Sequence, residues 1–276
     1  MRFSLILCTV NRDQVVRDFF ESLSRQKNAP EFEVILVDQN QDDRLLPIVR
    51  DFGKLFPIRR IYSKPGLSRA RNVGLQEVTG EIVAIPDDDC TYPPDLLNQI
   101  ATFLDSEPDA DGVTVKSLDA QTGTASCYMH DTLRRITKEN VWHCGISYTI
   151  FVRREALGDI RFNEELGCGS GTIYGSGEET DFLLNLIAAD KKLIFNPAYS
   201  VYHPIFRGPW KMQRGLLYGT GMGHVLRLHR YPFYRALYSA ALQGVRAFLA
   251  VCSFRFSKMW FHLAMAYGRI RGYFWK

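Results

Sequence analysis

No aspartate or glutamate follows Asp190. The fourteen Lys and Arg of residues 191–276 therefore meet no carboxylate of their own segment, while residues 1–190 carry twenty basic and thirty acidic side chains. A net charge of +4 hides this split, which implies two surfaces with different partners. The basic segment also lacks any nucleic-acid motif and is rich in Trp, Tyr, Phe and Leu, so nucleic acid is excluded as its partner and an anionic membrane surface is expected instead. The six cysteines (Cys8, Cys90, Cys127, Cys144, Cys168, Cys252) contain no CxxC pair. Neither a zinc site nor a disulfide framework is indicated, and a reducing, cytoplasmic setting fits, with the basic tail able to hold the protein at the inner face of a membrane. Long hydrophobic runs are missing at the start: only Phe3 to Val10 precede Asn11-Arg12-Asp13, too few for a signal peptide or a spanning helix. The glycine-rich stretch 167–177 has no GK[ST] ending and does not follow the first strand, which excludes a P-loop and a dinucleotide fingerprint. It reads as a flexible lid leading into a helix.

What is present is a core and an alternation. Of the 276 residues 46% are hydrophobic, ample for one large domain with an appendage. Strand-like runs at 3–8, 33–37, 58–62, 82–85, 112–115, 147–152 and 192–195 alternate with helical patterns at 13–25, 42–52, 67–77, 94–104 and 178–189. This order predicts an α/β fold with a mostly parallel central sheet covered by helices. In such sheets the ligand lies beyond the carboxyl ends of the strands, where Thr9, Asn11, Asp38 and the triplet Asp87-Asp88-Asp89 are expected. Three adjacent carboxylates at one strand end repel one another unless a cation or donor-rich ligand answers them. A divalent metal carrying a diphosphate is the expected answer.

The ordered motifs Leu5-Ile6-Leu7-Cys8-Thr9-Val10-Asn11-Arg12, Val34-Ile35-Leu36-Val37-Asp38, Gly66-Leu67-Ser68-Arg69-Ala70-Arg71-Asn72-Val73-Gly74, Asp87 to Asp89, Gly177-Glu178-Glu179-Thr180-Asp181 and Val201-Tyr202-His203 resemble the inverting glycosyltransferases of family 2. The resemblance covers 1–205 and implies the nucleotide-sugar-binding fold called GT-A. It further implies a metal-dependent, inverting transfer of a sugar from a nucleotide diphosphate donor, a UDP-sugar above all, to a glycan or lipid-linked acceptor. In that scheme Thr9, Asn11 and Asp38 meet the base or ribose, Arg71 the base or diphosphate, Asp87 and Asp88 the sugar nucleotide, and Asp89 with His203 holds Mg²⁺ or Mn²⁺. The base is the second acid of the family's "ED" pair, here Glu179 in place of Asp, which keeps Glu178 and Asp181 as alternatives. Val10 where the family has Tyr, and Gln39-Asn40 after Asp38, are further departures. A nucleotidyltransferase would need a glycine-rich phosphate loop after the first strand, absent here. A non-catalytic nucleotide-binding scaffold would not need the retained acids.

Residues 206–276 form the expected basic, amphipathic helical tail. Tyr238, Leu242, Val245, Leu249, Cys252 and Phe256 recur at helical spacing, with Arg235, Ser239, Gln243 and Arg246 on the other side. This stripe suits an interfacial helix in 234–276 better than a span. It would equally suit packing on the catalytic domain or on a second subunit of an oligomer.

Overall fold

The computed structural model describes residues 1–206 and 208–275. In chain order its elements are β1 (Phe3–Thr9), α1 (Gln14–Ser24), β2 (Phe32–Asp38), α2 (Leu46–Phe52), β3 (Ile58–Tyr62), α3 (Leu67–Leu75), β4 (Ile82–Ala84), α4 (Leu96–Ser106), β5 (Gly112–Leu118), β6 (Arg134–Arg135), β7 (Ile150–Arg153), α5 (Arg154–Leu157), α6 (Glu178–Ala188), β8 (Leu193–Tyr202), α7 (Met212–Leu228), α8 (Phe233–Cys252) and α9 (Phe256–Phe274). They fall into two units. Unit 1 comprises Met1–Pro65, Arg69–Arg161 and Phe182–Phe206; unit 2 comprises Gly66–Ser68, Phe162–Asp181 and Arg207–Lys276. The last stretch of unit 1 ends at Phe206, and the glycine-rich segment clusters with the tail in unit 2.

Unit 1 is built on one sheet in the order β3-β2-β1-β4-β7-β5-β8-β6, with β7 and β6 antiparallel to their neighbours. The continuous apolar runs of β1 and β2 are what strands buried on both faces require, and β1 is buried throughout. Helix α1 turns Phe19, Phe20 and Leu23 into the core; Phe20 meets Phe52 and Phe56 edge-on, with ring centroids 5.6 and 5.8 Å apart. Several boundaries differ from the sequence pattern for local reasons. Helix α2 begins only at Leu46, because Pro47 fixes the first turn. The segment before β7 is a 3₁₀ turn, Ser147–Thr149. Strand β8 runs through Pro197 to Tyr202; the ladder with β5 shifts register between Val115 and Lys116, where a residue without an N–H is tolerated.

In unit 2, α7 and α9 pack through glycine. A Cβ added at Gly215, Gly219 or Gly223 would lie 2.2–2.4 Å from the carbonyl oxygens of Phe261, Met265 and Arg269, and one at Gly268 or Gly272 would strike Leu216 or Thr220. Spacing of four places these glycines on one face of each helix, so the two backbones touch directly. Helix α8 is inverted relative to the usual pattern. Its buried residues are Ala236, Ser239, Gln243, Ala247 and Ala250, small enough to pack closely, whereas Tyr238, Leu242, Val245 and Leu249 are exposed. Among the described residues nothing covers this part of the apolar stripe. No helix among the described residues is long and apolar enough to cross a membrane.

Candidate active site

Parallel pairing sets the site. Register aligns Thr9 with Asp38 across β1 and β2, and a single bridge beyond β4 joins Cys8 to Asp87, so Asp38, Thr9 and the triplet emerge at three neighbouring strand ends. A second bridge, Thr91 with Tyr202, draws the segment after the triplet against the end of β8 through hydrogen bonds of 2.8 and 3.0 Å. This brings His203 to Asp89: Nε2 lies 3.1 Å from Oδ1.

The three carboxylates have separate environments. Asp88 is 8% exposed and accepts from Thr9 Oγ1 at 2.6 Å and Arg12 at 2.7 Å; burial pushes its carboxyl upward against those contacts. Asp89 accepts from Arg12 at 2.8 Å. Burial alone would raise Asp89, but the hydrogen bonds and charges of His203 and Arg12 hold it down to about 2. Asp87 accepts from Arg71 at 2.9 Å, and the Ser147 hydroxyl lies 3.3 Å away. Arg71, at 1% exposure, is among the most deeply buried side chains; here its guanidinium orients Asp87.

Asp87, Asp89 and His203 each offer a ligand atom, all within 4.8 Å of one another. The imidazole is set for this role. Nδ1 lies 2.9 Å from the Pro204 carbonyl oxygen, and donating to it leaves Nε2 as the atom facing the carboxylates. The ring also stacks on Tyr148, centroids 4.5 Å apart and 8° from parallel. Burial lowers the basicity of His203, yet Asp89 and Asp87 together raise it, so a cation is favoured at this point. Two carboxylates and one imidazole suit Mn²⁺ and also admit Mg²⁺. The residues present therefore fit the expected metal, with Asp87 rather than Asp88 joining Asp89.

On the neighbouring strand end Asp38 is fully buried and accepts from the Asn40 backbone and side-chain nitrogens at 2.8 and 2.7 Å and from Arg60 at 2.8 Å. Asn11, in the left-handed region at φ 56, donates its N–H to Asn40 Oδ1 at 2.6 Å. Thr9, Asn11, Asp38 and Asn40 thus form one polar ledge. Sequence reasoning missed Arg12, Arg60, Ser147 and Tyr148. Arg12 alone had a visible signal, directly after the turn-forming Asn11, but an arginine there reads equally as a solvated surface.

The acidic end of α6 belongs to unit 2. Residues 173–176 of the segment before it, where the glycines lead one to expect a flexible lid, are held against α7. Gly175 N–H donates to Leu217 O at 3.1 Å, Ser176 Oγ to Tyr218 O at 3.0 Å, and Thr220 to Ile173 O; Tyr174 stacks on His224, centroids 3.9 Å apart. Glycine is needed at 177 because φ is +93 and a Cβ would meet Val225 at 2.9 Å. Among the acids, Asp181 lies 2.7 Å from His229 Nε2 and Glu178 is 7% exposed beneath Gly167. Glu179 is half-buried.

The family model for glycosyl transferase family 2 matches residues 4–161. The poly(ribitol-phosphate) β-N-acetylglucosaminyltransferase TarS of Staphylococcus aureus is 29% identical over 185 residues, 63% of this chain and 32% of its own length. The minor teichoic acid biosynthesis protein GgaB of Bacillus subtilis is 25% identical over 203 residues, 69% of this chain and 21% of its own. The chain therefore spans about a third and a fifth of those relatives. Among solved structures, TarS in complex with UDP-GlcNAc superposes with a TM-score of 0.60 at 19% identity, covering 95% of this chain and 90% of that one. A mannosyltransferase from Pyrobaculum calidifontis in complex with GDP-Man and Mn²⁺ gives 0.64 at 16%, covering 99% and 87%. These likenesses make the fold GT-A.

Proposed function

Since the chain belongs to glycosyl transferase family 2, we propose that it moves a sugar, with inversion, from a nucleotide diphosphate donor to a glycan or lipid-linked acceptor in polysaccharide or glycoconjugate synthesis. The observation that carries this reading is the convergence of Asp87, Asp89 and His203 beside the Thr9–Asp38 ledge at the carboxyl ends of the strands. UDP-GlcNAc is the first donor to test, because a structurally similar protein binds it. A phosphodiester-linked polyol is one acceptor to test, given the names of TarS and GgaB.

The residues divide the work. Thr9, Asn11 and Asp38 receive the base and ribose, with Arg60 and Asn40 fixing the carboxylate of Asp38 in place. Arg71 holds Asp87, and Arg12 with Thr9 holds Asp88, so each carboxylate is preorganised before a donor arrives. Mg²⁺ or Mn²⁺ held by Asp87, Asp89 and His203 would offset the negative charge that grows on the departing nucleotide diphosphate. A sugar hydroxyl is a weak nucleophile at neutral pH, so a carboxylate must accept its proton during attack. We assign that role to Glu179, the second acid of the family's "ED" pair, with Glu178 and Asp181 as the alternatives. The exposed aromatic and aliphatic face of α8 and α9, in a segment without acids, suits contact of 234–276 with an anionic membrane, where a lipid-linked acceptor would reside.

A thermal-shift screen of the full chain across nucleotide sugars with Mn²⁺ tests the reading, since a ligand of the native state raises the melting temperature by mass action. A rise with one nucleotide sugar and Mn²⁺ supports it; no rise with any of them overturns it.

A further inference from the structure

An open cavity of about 350 Å³ lies at the α8–α9 turn of unit 2, lined by Trp210, Arg246, Leu249, Arg255, Lys258 and His262 among others. No carboxylate lines it. Every charge bearing on His262 is positive, from Lys258, Arg246 and Arg269, and Arg269 itself is pulled down to about 10 by burial and by Arg246. Arg246 and Arg255 are exposed and Lys258 is part-buried, so water screens their repulsion, and an anion seated among them would meet three cations at once.

The Gln243 amide is oriented by its neighbours: its oxygen accepts from Arg269 at 2.9 Å and Arg246 at 3.1 Å, and its nitrogen donates to His262 Nδ1 at 2.8 Å. His262 therefore carries its proton on Nε2. That atom is buried, in a residue 6% exposed that lines the cavity, and has no hydrogen-bond partner among the described residues; Arg269 Nε, outside the lining, is likewise buried without one. Unmet donors of this kind call for an acceptor. Helix α9 adds to the field, because no side chain caps its N-terminus.

We propose that this cavity binds the phosphate group of an anionic lipid. Exposed aromatic side chains of α8, α9 and the turn between them favour a lipid over a free anion. Phe248, Phe254, Phe256 and Trp260 are 66, 83, 56 and 54% exposed. Phe254 occupies the left-handed position that ends α8, at φ 55, with Arg255 N–H closing back on Ala250 O at 2.8 Å. Glycine is the residue that position ordinarily takes; a strained phenylalanine there projects a ring outward. The source of the phosphate rests on the membrane-facing reading of 234–276, whereas the anion site does not.

The test uses the full chain with phosphatidylglycerol–phosphatidylcholine vesicles, pure phosphatidylcholine vesicles and soluble glycerol phosphate. A pocket variant, Arg246→Gln with Lys258→Gln, is compared with a control that removes two tail charges elsewhere, Arg230→Asn with Arg235→Gln. One cation near an anionic surface is worth about fivefold in vesicle affinity, so both variants weaken flotation. The pocket variant should lose at least a further tenfold and should lose the melting shift that glycerol phosphate gives the wild type, while Lys258→Arg retains both. Arg246→Gln gives up the hydrogen bond to Gln243 and Lys258→Gln the contact of Nζ with the Trp210 ring, 5.1 Å from its centroid, so the unliganded melting temperature and circular dichroism of each variant establish that both losses are read on folded protein. Equal losses in the two double variants overturn the site and leave membrane contact standing. A pocket-dependent shift with glycerol phosphate but no flotation on anionic vesicles overturns the lipid and points to a soluble phosphodiester polymer.

Discussion

Replacing Gly219 by alanine probes the direct backbone contact between α7 and α9. The new Cβ would sit 2.3 Å from the Met265 carbonyl oxygen, against a comfortable C···O contact of about 3.3 Å, so the helices must part by about 1 Å. Overpacking of this kind costs about 1–3 kcal/mol, partly offset by the roughly 1 kcal/mol that alanine gains over glycine in a helix. Gly244 in α8 is the control, because nothing lies within 4 Å of an added Cβ and only the propensity gain applies. The two substitutions should therefore differ by about 1–3 kcal/mol, or roughly 2–12 °C in melting temperature for a chain of this size. Circular dichroism melts of Gly219→Ala and Gly244→Ala decide it. Equal stabilisation by both would show that α7 and α9 do not meet at these glycines.

The other expectations are separate. Gly221→Ala would put a Cβ 2.2 Å from Ser176 O, displacing the segment that leads into Glu178 and Glu179; turnover should fall about tenfold or more with donor affinity unchanged, and a matching loss of donor affinity would refute this (order of magnitude as for misplaced groups). Glu179→Gln should abolish turnover and keep donor binding, whereas near-normal kcat would move the base to Glu178 or Asp181. Burial, then the charges of Lys258, Arg246 and Arg269, bring His262 down to about 4. The unfolded chain takes up this proton near pH 6.5, so stability should fall as pH drops from about 6.5 to 4 and be flat above. Urea unfolding of wild type against His262→Gln across that range measures it, and a difference that grows with rising pH above 7 would contradict the assignment.

The sheet was legible because apolar runs and turn residues alternate along unit 1, and strand ends gave Thr9, Asp38 and the triplet their neighbourhood. The pairing of Asp89 with His203 was not legible from spacing, since it depends on one long-range bridge between Thr91 and Tyr202; the family motif alone suggested it. The split within the triplet was not visible in the sequence: Asp89 lies 3.1 Å from His203 and Asp87 turns toward them, while Asp88 turns toward Thr9 and Arg12, a choice made by side-chain partners. In the tail, reading large apolar residues as the packed face fails for α8. Close packing there is made by Ala236, Ala247 and Ala250 around a buried Gln243, and the stripe faces outward. The four-residue spacing of Gly215, Gly219 and Gly223 was present in the sequence as a sign of close helix contact. The contacts of 173–176 with α7 were not, because glycines chosen for positive φ and close approach look the same as glycines chosen for mobility.

Calorimetric titration of UDP into wild type and Asp89→Asn, each with and without Mn²⁺, tests the account most directly. The cluster of Asp87, Asp89 and His203 predicts that wild type binds UDP more tightly with Mn²⁺ and that Asp89→Asn loses this gain while remaining folded. Equal affinity with and without the metal in wild type, or a gain that survives Asp89→Asn, would contradict it.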